Sequence, residues 1–200
     1  MGITRDCYIL YGEPFTGVST FSTVLETELN IKSLELRDML RSEIEIGSQL
    51  GIEIKSEIDK GLVLNQQIIS NLLKKNLIQE KNNILLINYP RKKEQYPALL
   101  ELLQQLNFSL KHIWYIRNIN IEYLAKLHYQ ENQLMHDKYE NTPESIKNNI
   151  IDNSSLIRSV TDYLTTITSV TYIDIDFESM KWNKHEMERF IREWKNEKLL

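Results

Sequence analysis

Four residues near the start of the chain, Gly12, Gly17, Ser19 and Thr20, stand at the spacing of a phosphate-binding turn. In "YILYGEPFTGVST" (8–20) a hydrophobic run enters a glycine-bearing segment. The segment is close to the pattern G-x-x-x-x-G-K-[ST], in which backbone amides and a lysine hold phosphates. The lysine position here is Val18. An apolar side chain supplies no ammonium to follow a migrating phosphoryl group, and phosphoryl transfer depends on positioning and charge stabilisation. The bulky Phe15 in the same turn restricts positive φ angles and crowds phosphate space. The segment keeps the spacing of a phosphate loop and lacks its cation.

Other chemistry finds less support. His112, His128, His136 and His185 are scattered, with no cysteine pair and no i, i+4 histidine pair, so no metal site is expected. Cys7 is the sole cysteine and is expected to pack as a small hydrophobe. A net charge of −4 argues against a general nucleic-acid binder, which needs a basic excess to neutralise phosphates. No apolar run approaches the length that spans a bilayer, and no signal or transit peptide is expected. The expectation is a soluble intracellular protein, cytoplasmic or otherwise, folded as a single domain over residues 1–200.

The elements that would position the loop follow from hydrophobic spacing. "CYILY" (7–11), "ILLIN" (84–88), "HIWYIR" (112–117) and "VTYIDI" (170–175) are short, nearly continuous apolar runs, as in parallel strands covered on both faces; "KSLEL" (32–36) is a weaker fifth. Helical spacing marks Ser19–Glu28, a segment capped by Asn65 that carries Ile68, Ile69, Leu72 and Leu73, the stretch Ser145–Ile167, and a C-terminal helix with Met187, Phe190, Ile191 and Trp194. Alternating strands and helices predict an α/β domain with a five-stranded parallel sheet, with ligands beyond the carboxyl ends of the strands. Residues 38–77 are expected to form a helical insertion, and about 130–145 a polar, irregular flap. Asp174 and Asp176 read as an ordinary polar strand terminus.

Four motifs, in order and at the right separations, make the chain resemble an adenylate kinase of the short-lid type, within the nucleoside monophosphate kinases. They are the loop, "RDMLRSEIEIGSQLGIEIKSEIDKGLVLNQQII" (37–69), "LLINYPRKKEQ" (85–95) and "DKYENTPESIKNNI" (137–150). The last three are similar to the family's D-[ML]-L-R box with G-S-x-L-G and D-x-G-x-L-V, its D-G-F-P-R-x-x-x-Q, and its lid exit R-x-D-D-N-P-E-T-I-x-x-R-L. The resemblance implies the P-loop monophosphate-kinase fold, with 38–77 as the monophosphate-binding insertion and about 130–145 as a short lid. It also implies a monophosphate pocket in which Arg41 and Arg91 hold the phosphate by their guanidinium forks. In that pocket Gln95 meets the adenine edge, and Asp38 begins the box helix.

The chain departs from the family's pattern at several places. Leu36 and Arg37 replace the threonine and glycine before the box, Asn88 the glycine before F-P-R, and Phe15 a loop glycine. Ile87 stands for the carboxylate behind the Mg²⁺ water shell; Lys126, Lys138 and Asn149 stand for arginines that clamp the transferring group; Glu140 and Asn141 replace the lid's paired aspartates. The resemblance with these losses implies a pseudoenzyme with no catalytic residue, acting as a structural or binding subunit of a larger intracellular assembly, such as a ciliary or mitochondrial complex. It would need no cofactor; AMP or ADP binding stays open, Mg-ATP binding is not expected, and partners would be proteins rather than nucleic acid or membrane. Two alternatives stand beside this expectation. One is a divergent active kinase drawing a cation from Lys92 or Lys93; the other is a sensor of AMP or ADP without turnover.

Overall fold

The computed structural model describes residues 4–62, 64–134 and 142–198. Five parallel strands form one sheet: β1 (Arg5–Gly12), β2 (Ile31–Glu35), β3 (Asn83–Ile87), β4 (Phe108–Asn118) and β5 (Val170–Ile175), in the order β2-β3-β1-β4-β5. The weak fifth run is a strand one residue earlier than expected, because Leu36 already begins the next helix.

The strands read as unbroken apolar runs because both faces are covered. Along β1, Cys7, Ile9 and Tyr11 point to one face, where they meet Leu72, Leu73, Leu99 and Val160. Leu10 points to the other, where it meets Phe21, Leu25, Ile191 and Trp194. The second layer is built by α1 (Val18–Leu29) and α8 (Lys184–Lys198). The first is built by α4 (Gln66–Leu77), α5 (Tyr96–Gln105) and α7 (Pro143–Leu164). Cys7 is fully buried and desolvation pushes its thiol pKa far up, consistent with a packing role.

Between β2 and β3 the 38–77 interval is helical: α2 (Leu36–Ile46), α3 (Gln49–Asp59) and α4. Asn65 caps α4, its side-chain oxygen accepting the Ile68 amide at 2.9 Å, and Ser48 caps α3 by accepting the Gly51 amide at 3.1 Å. Gly51 lies against α2 so closely that a Cβ there would overlap the Glu43 carbonyl. Glu43, 3% exposed, accepts two hydrogen bonds from the Lys75 ammonium, at 2.7 and 2.8 Å, and one from the Ser48 hydroxyl. This cluster fastens α2 to α3 and α4.

On the far side α6 (Ile121–Leu134) and α7 are joined by the small cluster of Leu124, Ala125, Ile146 and Ile150. Both helices run further into the 130–145 interval than its polar composition indicates: α6 continues to Leu134, and α7 starts at Pro143 behind a Thr142–Ser145 capping box. Residues 135–141, the centre of the expected lid, lie outside the described residues. Two helices, α5 and α6, go beyond those that hydrophobic spacing marks. Among the described residues no helix is long and apolar enough to cross a membrane.

Two outcomes follow. Gly51→Ala forces α3 off α2 and should lower stability in urea denaturation by about 1–3 kcal/mol. Burial alone would raise the Glu43 carboxyl above its ordinary value of 4.5, but the bonds from Lys75 and Ser48 outweigh it and hold it lower. A depressed carboxyl adds stability above its unfolded value and loses it as pH falls through its folded value. The stability gap between wild type and Glu43→Gln should therefore be full above pH 4.5 and shrink below it.

Candidate functional site

The carboxyl ends of β1, β3 and β4 meet at one edge of the sheet. Leu10 pairs with Ile87 on one side and Trp114 on the other, so Gly12 emerges between Asn88 and Ile116. The loop that follows is fastened to both neighbours. The Gly12 amide donates to Asn88 Oδ1 at 3.1 Å, the Asn88 amide to the Leu10 carbonyl at 2.8 Å, and the Glu13 amide to the Ile116 carbonyl at 3.1 Å. Asn88 takes φ 52°, a left-handed angle that asparagine tolerates, and so occupies the glycine position of the family's motif. Its carboxamide turns onto the loop backbone.

Glu13 is the loop's main anchor. Only 2% exposed, its carboxylate accepts the Tyr115 hydroxyl at 3.1 Å and the Asn118 amide at 2.8 Å, which locks the loop to the end of β4. Burial, with the Glu13 charge adding to it, pushes the Tyr115 phenol far up, so this hydroxyl stays a proton donor. Thr16 closes the turn, its amide and hydroxyl both donating to the Glu13 carbonyl, at 3.3 and 2.7 Å.

Phe15 adopts φ 66°, the left-handed angle more easily taken by glycine, and its ring stacks on the His128 imidazole of α6 at 3.6 Å between centroids. Phe15 as a whole remains 43% exposed. Gly17, at φ 79°, delivers the chain into α1. Val18 folds back on the loop: a Cβ on Gly12 would overlap the Val18 Cγ2 methyl. A branched hydrocarbon therefore lies across the loop's first glycine. Ile87 is likewise in the apolar layer, packed with Val18 and Phe21.

A cavity of about 540 Å³ opens at this loop. Gly12, Gly17 and Ser19 line it, whereas Thr20 is an exposed residue of α1 outside the lining. Of the residues assigned to the monophosphate, Arg91 lines the cavity, its Nε donating to the Asn88 carbonyl at 3.3 Å. Asp38 and Arg41 do not line it; they face one another at 4.0 Å, both 67% exposed. Gln95 is engaged locally, its side-chain oxygen accepting the Arg91 and Lys92 amides at 2.9 and 3.2 Å at the start of the 3-10 turn Lys93–Gln95. Lys92 and Lys93 are exposed and outside the lining.

Asn149 also lines the cavity with Asn153, whose amide nitrogen donates to the Asn149 carbonyl and side-chain oxygen, both at 2.9 Å. Lys126 lies exposed on α6, and Lys138, Glu140 and Asn141 fall outside the described residues. Sequence reasoning gives no role to Glu13, Thr16, Asn153 or Arg37, the last lining the cavity from the first turn of α2. Arg37 was visible only as a departure from the family's glycine.

Among the remaining polar candidates, His112, Asp174 and Asp176 have structural partners. His112 sits between the Ser169 and Thr171 hydroxyls at 2.7 and 2.8 Å, under Trp114 and Trp194. Asp174 is held by both forks of Arg117 at 2.6 and 2.8 Å, and Asp176 accepts the Ser179 hydroxyl and Glu178 amide, which hold its carboxyl below the usual range. His185 lies exposed in the first turn of α8, and His136 lies outside the described residues.

The family model described as adenylate kinase matches residues 10–169. The chain is 25% identical over 170 residues to an adenylate kinase of Prochlorococcus marinus strain MIT 9301, covering 84% of this chain and 90% of that protein. It is 34% identical over 91 residues to one of Thermococcus onnurineus strain NA1, covering 46% of this chain and 41% of that protein. Over 116 residues it is 33% identical to one of Bacillus cytotoxicus, covering 57% and 52% respectively.

The Glu13 anchor yields a direct test. Tyr115→Phe removes a hydrogen bond to a buried carboxylate and should lower stability by ~1.5–3 kcal/mol in urea denaturation, with the far-UV spectrum unchanged.

Proposed function

The chain belongs to the adenylate kinase family, and on that premise we propose that it is a non-catalytic member acting as a binding or structural subunit. The observation that carries this reading is the Val18 methyl laid on Gly12, where the family's motif supplies a lysine. The neighbouring Ile87 offers no oxygen to a metal's water shell, so the residues present do not fit a Mg²⁺-nucleoside triphosphate. Losing one preorganised donor costs roughly 10²–10³ in rate, and such groups act together. The hydrophobic layers meanwhile remain complete, which suits a fold kept as a scaffold for a protein partner in a larger assembly. The short-lid class belongs to the same reading.

A second reading, a receptor for AMP or ADP without turnover, is favoured by the cavity itself. Arg91 reaches it, and charge-assisted guanidinium contacts suit a phosphate group. Here the site would report occupancy to a partner through the helices between β2 and β3.

Coupled turnover of ATP and AMP by the purified protein should fall at least ~10³-fold below an ordinary family member. Val18→Lys should not restore it, because Ile87 and Asn149 also depart from the family's pattern. Activity within tenfold of an ordinary member would overturn the non-catalytic reading.

A further inference from the structure

The family's motifs place the monophosphate on Arg41 and Arg91, yet the fold brings Arg37 and Arg91 to the cavity. In the β2–β3 register Glu35 lies opposite Ile87, and in the β1–β3 register Ile87 lies opposite Leu10. The first turn of α2 therefore starts level with Asn88 and the loop. Arg37, two residues beyond β2, lines the cavity together with Arg91. Arg41, one helical turn further on, faces Asp38.

The charges around the cavity are matched to an anion. Val18 leaves the loop itself without a cation. Among the described residues Glu13 is the one carboxylate in the lining, and it is buried with both oxygens accepting from Tyr115 and Asn118. Arg91 spends its Nε on the Asn88 carbonyl, and its terminal nitrogens make no hydrogen bond among the described residues. Arg37 makes no hydrogen bond or ion pair among the described residues. Two guanidinium forks beside a glycine-bearing turn match the oxygens of a phosphate monoester dianion. A metal-chelated triphosphate would also need the loop cation and the metal's carboxylate, positions held by Val18 and Ile87.

We infer that Arg37 and Arg91 form the anion-binding pair of this cavity and hold a phosphate monoester dianion without a metal, with Arg37 in the place the family's pattern gives to Arg41. This rests on the ligand-binding reading above and replaces its assignment of Arg41.

Calorimetry on the full chain tests the inference, with AMP and inorganic phosphate as separate probes in EDTA and Mg-ATP as a third probe in magnesium buffer without EDTA. AMP binding is expected, weakened about 10- to 100-fold by Arg37→Ala, partly recovered by Arg37→Lys, and changed less than twofold by Arg41→Ala. Arg37 is exposed in the first turn of α2, so both variants should keep the wild-type far-UV spectrum. Equal binding of inorganic phosphate would make the phosphate group alone the ligand, and binding of AMP only would make it a nucleoside monophosphate; both outcomes support the pair. AMP binding that survives Arg37→Ala but is lost in Arg41→Ala would overturn the inference and leave the receptor reading standing. Mg-ATP binding more tightly than AMP, or none of the three probes binding, would overturn the inference; the last result would remove the receptor reading too.

Discussion

The two-sided pairing of β1 sets the height of everything at the functional edge of this protein. Leu10 is level with Ile87 and Trp114, so the chain leaves β1 flanked on both sides by backbone carrying further polar groups. From one side Asn88 reaches the Gly12 amide; from the other, Ile116 and Asn118 receive Glu13. The same pairing extends through β3 to β2 and places the start of α2 beside the loop. A shift of one residue would exchange the two faces of the strand, and Leu10 would move into the layer that holds Ile9.

The loop so placed is stabilised by its own residues. A buried carboxylate is costly unless its oxygens are satisfied, and Glu13 meets this by accepting from Tyr115 and Asn118. Thr16 adds two bonds to the Glu13 carbonyl, and Val18 covers the Gly12 side with hydrocarbon. Each contact fixes the turn, and none of them supplies positive charge. The nearby guanidiniums come instead from outside the loop, on α2 and after β3.

The fold was legible in the sequence wherever burial is two-sided or a cap is local. The strands announce themselves because parallel strands under two helical layers are apolar at consecutive positions, and Asn65 announces α4 because its cap needs only the next three residues. Helix α5 was harder to see: it starts on Tyr96–Pro97 directly after a 3-10 turn, a junction that local punctuation reads as loop. The ends of α6 and α7 were hidden by polar composition, since the apolar contacts joining them lie earlier in α6 and later in α7. At the site, the loop and Arg91 could be read from motifs. Arg37 could not, because its place in the cavity depends on the register of β2 on β3, some fifty residues apart in the chain. Gln95 and Arg41 do not line the cavity for the converse reason: a motif fixes order along the chain, while local contacts with Lys92 and Asp38 decide where the side chains turn.

The methyl of Val18 on Gly12 has a thermodynamic consequence. A phosphate loop that waits for its anion gives up conformational entropy on binding, and that ordering is part of how such a loop signals occupancy. In this protein the turn is already closed by hydrocarbon and by its own carboxylate. A guest would arrive at a rigid wall, with little disorder left there to remove. News of its arrival would have to be carried by the long side chains of the rim and the helix that bears one of them.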